Sequence, residues 1–487
     1  MGPEHPHGPP PGALDEVLAR AGDREGYERW SDQALHTGYC RHPIRLVGHI
    51  DHIETVTGEI RRRVDSAEQP DGVILVACGN RRASVCPSCS STYQADVYQL
   101  VAAGLKGGKG VSPEVAGHPR VFLTLTAPSF GTVHGVRQDA GGEPAPCRPA
   151  WPGRPARCTH AVPAVCERLH DRQDPAVGQP LCPECFDYPA AVLWNAHAGQ
   201  LWARTVGVIR RALARHAGLS IREAAALVRV SFVKTTEYQR RGLIHVHSLV
   251  RLDGIAPGGG GTAPPPEPFD TANLVATIYG AVPTVRCPLA SAAQKLLGEV
   301  RWGDQMDVHI VASVAEAMSA EGRIDTAAAG YLAKYSVKGA DPEGLLDHRL
   351  HSLYELEGSS LTPHLRRMVE VAWQLGADPA LGHLRLRAWA HMLGFRGHHT
   401  TKSRRYSTTL GALRSARAQH MAGTRDDTPE DVARVGSLCF AGQGYRTAGD
   451  AWLAETAGEA HRAERQAARL ERASGAPPLN EPETEGR

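Results

Sequence analysis

Two short segments of this chain place reactive side chains at spacings that chemistry requires. The first is Gly242-Leu-Ile-His245-Val-His247-Ser-Leu-Val250. Residues two apart on a strand face the same side, so His245 and His247 present an imidazole pair on an otherwise apolar element. Histidine pairing alone proves little: with 24 histidines, about one His-x-His arises by chance. A second, His5-Pro-His7, sits in a Pro/Gly-rich start and carries no weight. The preceding run adds meaning. Residues 227–236 and 243–251 read as a hairpin, with Arg240-Arg241-Gly242 as a Gly-containing loop. A turn centred on residue 241 puts Glu237 across from His245, at the Cβ separation of about 4.5–5.5 Å that cross-strand pairs have. One carboxylate and two imidazoles form a mixed site suited to Mg²⁺ or Mn²⁺ with positions open for substrate. A slip of one residue would move Glu237 to the other face.

The second segment is Gly330-Tyr331-Leu-Ala-Lys334-Tyr335-Ser-Val-Lys338. On a helix, i and i+4 share a face, so Tyr331 and Tyr335 project together, and so do Lys334 and Lys338 beside them. Two of the chain's seven lysines fall here. The bland alternative is an amphipathic helix with core tyrosines and solvated lysines. The chemical alternative is a phosphoryl acceptor. A tyrosyl hydroxyl, with an ordinary pKa of about 10, attacks phosphorus only when activated. A divalent ion polarises the phosphate, and a lysine neutralises it or favours the tyrosinate. The product is a phosphotyrosine that stores the energy of the broken phosphodiester.

Eleven cysteines in a reducing compartment read as metal ligands or free thiols rather than disulfides. Cys86-Pro-Ser-Cys89 and Cys182-Pro-Glu-Cys185 have zinc-knuckle spacing. Cys40, Cys78, Cys86 and Cys89 form one expected Zn²⁺ site. Cys182 and Cys185, with two of Cys158, His160, Cys166 and His170, form another. Cys147 stands upstream of the second knuckle, and Cys287 and Cys439 stand alone as expected buried thiols.

These groups need elements to hold them. Arg120–Thr126 is β-branched and apolar and reads as a strand. Residues 138–187 are rich in Cys, His and Pro and too poor in large apolar residues to form a core without metal. Residues 189–217 and 325–338 read as helices, 306–312 as a strand, and 254–269 as a Gly/Pro loop. From Pro379 to His420 there are eight Lys/Arg and no Asp/Glu. Arg396, Lys402, Arg404 and Arg405 are the candidate phosphate contacts there.

The remainder excludes several function classes. Lys+Arg 54 against Asp+Glu 52 gives net +2, so any basic footprint is local. Mean hydropathy is −0.31, and no run of about 18 apolar residues exists to span a membrane. The start lacks a signal-peptide pattern, so a cytoplasmic location is expected. Gly-x4-Gly-Lys-[Ser/Thr] is missing, so no P-loop ATPase is built in.

Phe122-Leu-Thr-Leu-Thr126, His245-Val-His247 and Tyr331-Leu-Ala-Lys334-Tyr335-Ser-Val-Lys338 resemble, in order, the three motifs of HUH endonucleases, the rolling-circle initiators. The doubled tyrosine resembles the two-tyrosine branch. The wider chain, roughly 40–465, resembles the RepSA-type replication initiators of Streptomyces plasmids and integrative conjugative elements. That likeness extends through Leu181–Cys185, Trp194-Asn195 and Gly394–Tyr406. The resemblance implies an α+β fold: a palm-like antiparallel sheet backed by helices, with Cys-rich zinc modules and a helix-rich C-terminal region. It implies that His245 and His247 are ligands, that Glu237 takes the acidic third place, and that Tyr331 and Tyr335 are the nucleophile candidates. The implied partners are single-stranded or supercoiled origin DNA, a host helicase and the replication machinery. The expected organisation is a disordered 1–20, a zinc region 21–116, an endonuclease domain 117–345, a helical basic region 346–470 and a disordered tail 471–487. Two rival readings are a relaxase or single-strand transposase using the same residues, and a non-enzymatic zinc protein that only binds DNA.

Overall fold

A computed structural model describes residues 10–153, 155–256, 262–311, 324–338, 345–346, 348–423 and 432–474. The chain folds into two units, Met1–Tyr93 with Arg414–Arg487, and Gln94–Leu413. Neither boundary falls at the expected 116/117 or 345/346. The reason is strand pairing between distant segments: Thr400–Lys402 pairs with Val228–Tyr238 in the larger unit, and Val432–Gln443 pairs with Ile44–Glu54 in the smaller. The segment 346–470 is therefore not one helical region.

The smaller unit has a four-stranded antiparallel sheet. Val432–Gln443, Ile44–Glu54 and Ile60–Asp65 lie in that order, and Ile74–Val76 also pairs with Ile44–Glu54. Helices Leu14–Gly22, Arg24–His36 and Ala448–Ser474 accompany it. Order thus begins inside the segment expected to be disordered. Arg20 accounts for this: its guanidinium pairs with Asp450 at 2.8 Å and with Asp71 at 2.8 Å. At the other end helix continues to Ser474, and residues 475–487 lie outside the described ones. Cys287 is buried as expected, but Cys439 is exposed, because its strand sits at the end of the sheet order.

The larger unit carries a six-stranded sheet in the order Met306–Ile310, Arg120–Leu125, Ile244–Ile255, Val228–Tyr238, Thr400–Lys402, with Thr262–Ala263 against the end of Ile244–Ile255. Every pair is antiparallel. Strand alternation sorts the residues onto two faces. Val121, Leu123, Leu125, Val246, Val250, Leu252 and Val230 share one face and are all buried, in one core with helix Tyr188–His216. That helix starts on an Asp187 cap, whose carboxylate accepts from Ala190 N–H at 3.0 Å. It stops before Gly218, whose φ of +67° suits a residue without Cβ. Fully buried Asn195 ties the helix to the hairpin. Its amide donates to Gly242 O at 2.8 Å and Leu393 O at 3.1 Å, and its carbonyl accepts from Ile244 N–H at 3.1 Å.

The opposite face is polar at both ends. At one end Arg251 is paired with Asp253, which also meets His118 Nδ1 at 2.8 Å. Arg251 donates further to Gly104 O, and Arg120 to Leu105 O at 2.9 Å. Two guanidiniums thereby satisfy carbonyls in the last turn of helix Pro87–Lys106, where positive charge is favoured. Gly104 is required there, since a Cβ would lie 2.2 Å from the Tyr406 ring. Among the described residues no helix is long and apolar enough to cross a membrane.

One buried charge opposes the fold. Lys234, 5% exposed, lies across from Ser248 on the core face, and among the described residues its ammonium reaches only His398 O, at 3.5 Å. Burial pushes its pKa down to about 8. Below that value the folded chain holds a desolvated ammonium. Between pH 8 and 10.5 the unfolded chain binds more protons, so stability rises with pH there. Lys234→Met is therefore expected to stabilise the larger unit at pH 7 by about 2–3 kcal/mol. Denaturant unfolding at pH 7 and pH 10 checks this: the gain shrinks at the higher pH. A destabilised variant at pH 7 would contradict it.

Candidate functional site

The hairpin forms as its sequence implies. Val228–Tyr238 and Ile244–Ile255 flank a short loop closed by Gln239 N–H to Leu243 O and Gly242 N–H to Gln239 O. Gly242 has φ +73°, and a Cβ there would also lie 2.4 Å from Met368 Sδ. Glu237 pairs with His245, and His247 with Thr235. On the other side Thr124 pairs with His247. One sheet face thus holds Glu237, His245, His247, Thr124 and Thr235.

The loop itself is held from several sides. Arg241 donates to Ala127 O at 2.9 Å and Pro128 O at 3.0 Å. His364 Nε2 meets Arg241 O at 3.1 Å. Such clamping fixes where Glu237 and His245 stand.

His247 is buried and engaged at both nitrogens: Nε2 lies 3.2 Å from Glu237 Oε1, and Nδ1 lies 3.1 Å from Thr124 Oγ1. His245 lies edge-on to it, ring centroids 4.5 Å apart. Its Nδ1 is buried and has no hydrogen-bond partner among the described residues. Burial, then the charges of His247 and Arg241, push its pKa down to about 3. It is therefore a neutral imidazole with a free lone pair. One ligand atom from each of Glu237, His245 and His247 lies within 4.8 Å of the others. An orphaned nitrogen, a second imidazole and a carboxylate at that spacing fit a divalent cation.

Helix Ile324–Lys338 brings the tyrosines to this face. Ala329, Leu332, Ala333 and Ser336 are buried, which turns Tyr331 and Tyr335 toward the histidines. The two rings are 4.3 Å apart. Tyr331 OH lies 3.5 Å from His247 Nε2, and its ring stands edge-on to Phe122 at 5.5 Å. Tyr335 lies 5.3 Å from the His247 ring. Burial, a hydrogen bond with Tyr335 and the Glu237 charge all raise the Tyr331 pKa above the ordinary tyrosine value. Exposed Lys334 sits 6.0 Å from the Tyr335 ring. The Lys338 side chain lies outside the described residues.

The cysteines and remaining histidines gather into three groups whose ligand atoms lie within 4.8 Å of one another: Cys40, Cys78, Cys86, Cys89; Cys158, His160, Cys182, Cys185; and His134, Cys147, Cys166, His170. A zinc tetrahedron built from Zn–S and Zn–N bonds has edges of about 3.3–3.8 Å. In the first group Cys40–Cys86, Cys78–Cys89 and Cys40–Cys89 sulfurs are 3.8, 3.7 and 3.6 Å apart. In the second His160 Nδ1 is 3.2 Å from Cys185 Sγ and 3.8 Å from Cys182 Sγ. Cys166 and His170 are thus not with Cys182 and Cys185; they join Cys147 and His134. Sequence spacing does not single out His134, although Cys166-x3-His170 has ligand spacing and Cys147 has no partner in either expected site. Thr124 was missed too, because its role depends on cross-strand register.

Of the basic candidates, Arg396, Arg404 and Arg405 are exposed. Arg396 donates to His383 O at 2.8 Å. Lys402 is committed to the fold: its ammonium donates to Ser403 O, Arg404 O and Ser407 O at 3.4, 3.1 and 2.8 Å.

Two comparisons with known proteins bear on this arrangement. A curated "Replication initiator protein" from Streptomyces ambofaciens is 41% identical over 458 residues, covering 92% of this chain and 93% of that protein. No solved structure is significantly similar. The family model described as "Replication initiator protein, pSAM2" matches residues 26–459, a span that includes the hairpin, the tyrosine helix and all three Cys/His groups, and the chain belongs to this RepSA family of replication initiators.

Proposed function

We propose that this protein nicks and rejoins one DNA strand at a plasmid-type origin through a 5′-phosphotyrosine, in the manner of HUH endonucleases, and so initiates rolling-circle replication. The observation carrying this reading is the approach of Tyr331 OH to within 3.5 Å of His247 Nε2, beside the Glu237–His245–His247 donor set. A bound Mg²⁺ or Mn²⁺ supplies Lewis-acid polarisation of the scissile phosphate. Glu237, His245 and His247 hold the ion. Tyr331 Oη bonds to phosphorus as the P–O3′ bond breaks, and the net proton passes from Tyr331 Oη to the departing 3′ oxygen. The released 3′ hydroxyl is the primer. Lys334, on the same helix, offsets phosphate charge. Tyr335, in ring contact with Tyr331, serves the second cleavage that closes the displaced circle. Cys40, Cys78, Cys86, Cys89 and Cys158, His160, Cys182, Cys185 hold structural Zn²⁺. Arg396, Arg404 and Arg405 contact the DNA backbone, and a host helicase unwinds the duplex in a cytoplasmic setting.

The test mixes full-length protein and Mn²⁺ with single-stranded oligonucleotides tiling the DNA around its own gene. An SDS-stable protein–DNA adduct that requires the metal is expected. DNA binding without an adduct on any tile would favour a zinc protein that only binds DNA. Thr124→Val keeps the side-chain shape but removes the partner of His247 Nδ1. It is expected to weaken Mn²⁺ binding about 10–100-fold, read by calorimetric titration with folding unchanged.

A further inference from the structure

Between Val133 and Phe186, which pack on the core at its two ends, the segment has almost no apolar reason to hold its shape. Trp151, Leu169 and Val136 are 68, 59 and 44% exposed. Among the described residues its regular structure is one pair of two-residue strands and a single turn of 3-10 helix. Yet His170 and Cys166 are buried. Polar groups buried in a segment without a core need partners that tie distant parts together.

Their surroundings supply them. His134 Nδ1 lies 3.2 Å from His170 Nε2, Cys166 Sγ 3.4 Å from His170 Nε2, and Cys147 Sγ 3.9 Å from His134 Nδ1. These are close to the edges of about 3.3–3.8 Å that a Cys₂His₂ zinc tetrahedron would have. The support around them is also that of a metal site. His170 Nδ1 meets Asp174 Oδ2 at 2.6 Å, which turns Nε2 inward. Gly135 N–H donates to Cys147 Sγ at 3.3 Å.

The same loop reaches the hairpin. Arg240 donates to Asp174 O at 2.9 Å. A Cβ on Gly178 would lie 2.5 Å from the Arg240 backbone carbonyl carbon, so the two backbones are in direct contact. Gly178 N–H in turn donates to His134 O at 2.8 Å, and His134 N–H to Gln179 O at 2.8 Å. A continuous path therefore runs from His134 and His170 through Asp174 and Gly178 to the loop between Glu237 and His245. We propose that His134, Cys147, Cys166 and His170 bind a zinc ion of their own, and that this ion is the positioning element for the hairpin turn. It is distinct from the Cys158–His160–Cys182–Cys185 site, so the one insertion carries two ions.

The experiment counts zinc in the full-length protein by native mass spectrometry and follows amide exchange of residues 239–243. Wild type is expected to hold three zinc ions. His134→Ala and Cys166→Ser should each hold two, and in His134→Ala iodoacetamide should reach Cys147 but spare Cys40, Cys86 and Cys89. Exchange in the turn should quicken about tenfold or more in both variants. Cys78→Ser, which also loses one ion, should leave the turn unchanged and thereby separates a local effect from general unfolding. Two ions in wild type, with Cys147 and Cys166 as reactive as exposed Cys439 or joined in a disulfide, would overturn the site. Turn exchange unaltered in His134→Ala, or quickened equally in Cys78→Ser, would overturn its positioning role.

Discussion

Tyr331→Phe is expected to abolish the first covalent adduct with DNA, lowering cleavage on the order of 10³-fold or more. Phenylalanine preserves the edge-on contact with Phe122 and the packing on Tyr335 and removes only the hydroxyl that lies 3.5 Å from His247 Nε2. Folding and DNA binding should therefore stay near wild type. Tyr335→Phe should leave the first cleavage within about tenfold and lose the second, because Tyr335 meets His247 through ring contact rather than through its hydroxyl. Mapping the modified peptide by mass spectrometry ranks the two. Adduct on Tyr335 in the wild type would reverse the order, and adduct in the double variant would remove both residues from the chemistry. Because the free-protein environment holds the Tyr331 proton tightly, cleavage should depend steeply on the divalent ion.

His247→Ala is the second large effect. It removes the one imidazole that touches Glu237, Thr124 and Tyr331 together. Cleavage should fall about 10²–10³-fold or more, with loss of Mn²⁺ binding, while affinity for the oligonucleotide changes little. Unimpaired cleavage in this variant would sink the metal site. The neighbouring imidazole sets a pH signature. His245 has a folded pKa near 3 against an unfolded value of about 6.5. Its depressed pKa means that the unfolded chain binds the extra proton first. The stability it contributes is complete above about pH 6.5 and is lost as pH falls from there toward 3. Acid unfolding of wild type and His245→Gln, compared between pH 7 and pH 4, should converge as the pH drops.

Much of this site was legible because its parts are local. The alternation Ile244-His245-Val246-His247 and the short Gly-containing turn determine the hairpin and its register, and with it the pairing of Glu237 with His245. The i, i+4 spacing of Tyr331 and Tyr335 determines that their rings meet. Both follow from backbone periods of 2 and 3.6 residues, which the chain carries without reference to anything distant.

Tertiary structure decided the rest. Thr124 joins His247 only through a pairing 123 residues away. The ligand groups depend on which loops close on which. Cys158 and Cys166 stand eight residues apart yet enter different clusters, and His134 enters one from outside the Cys-rich text. Thr400–Lys402 adds an edge strand from a segment whose sequence looks helical and basic, which makes Lys402 a structural cation rather than a free one. Spacing along the chain limits how far two residues can be separated, but only packing determines which of the many reachable partners they meet.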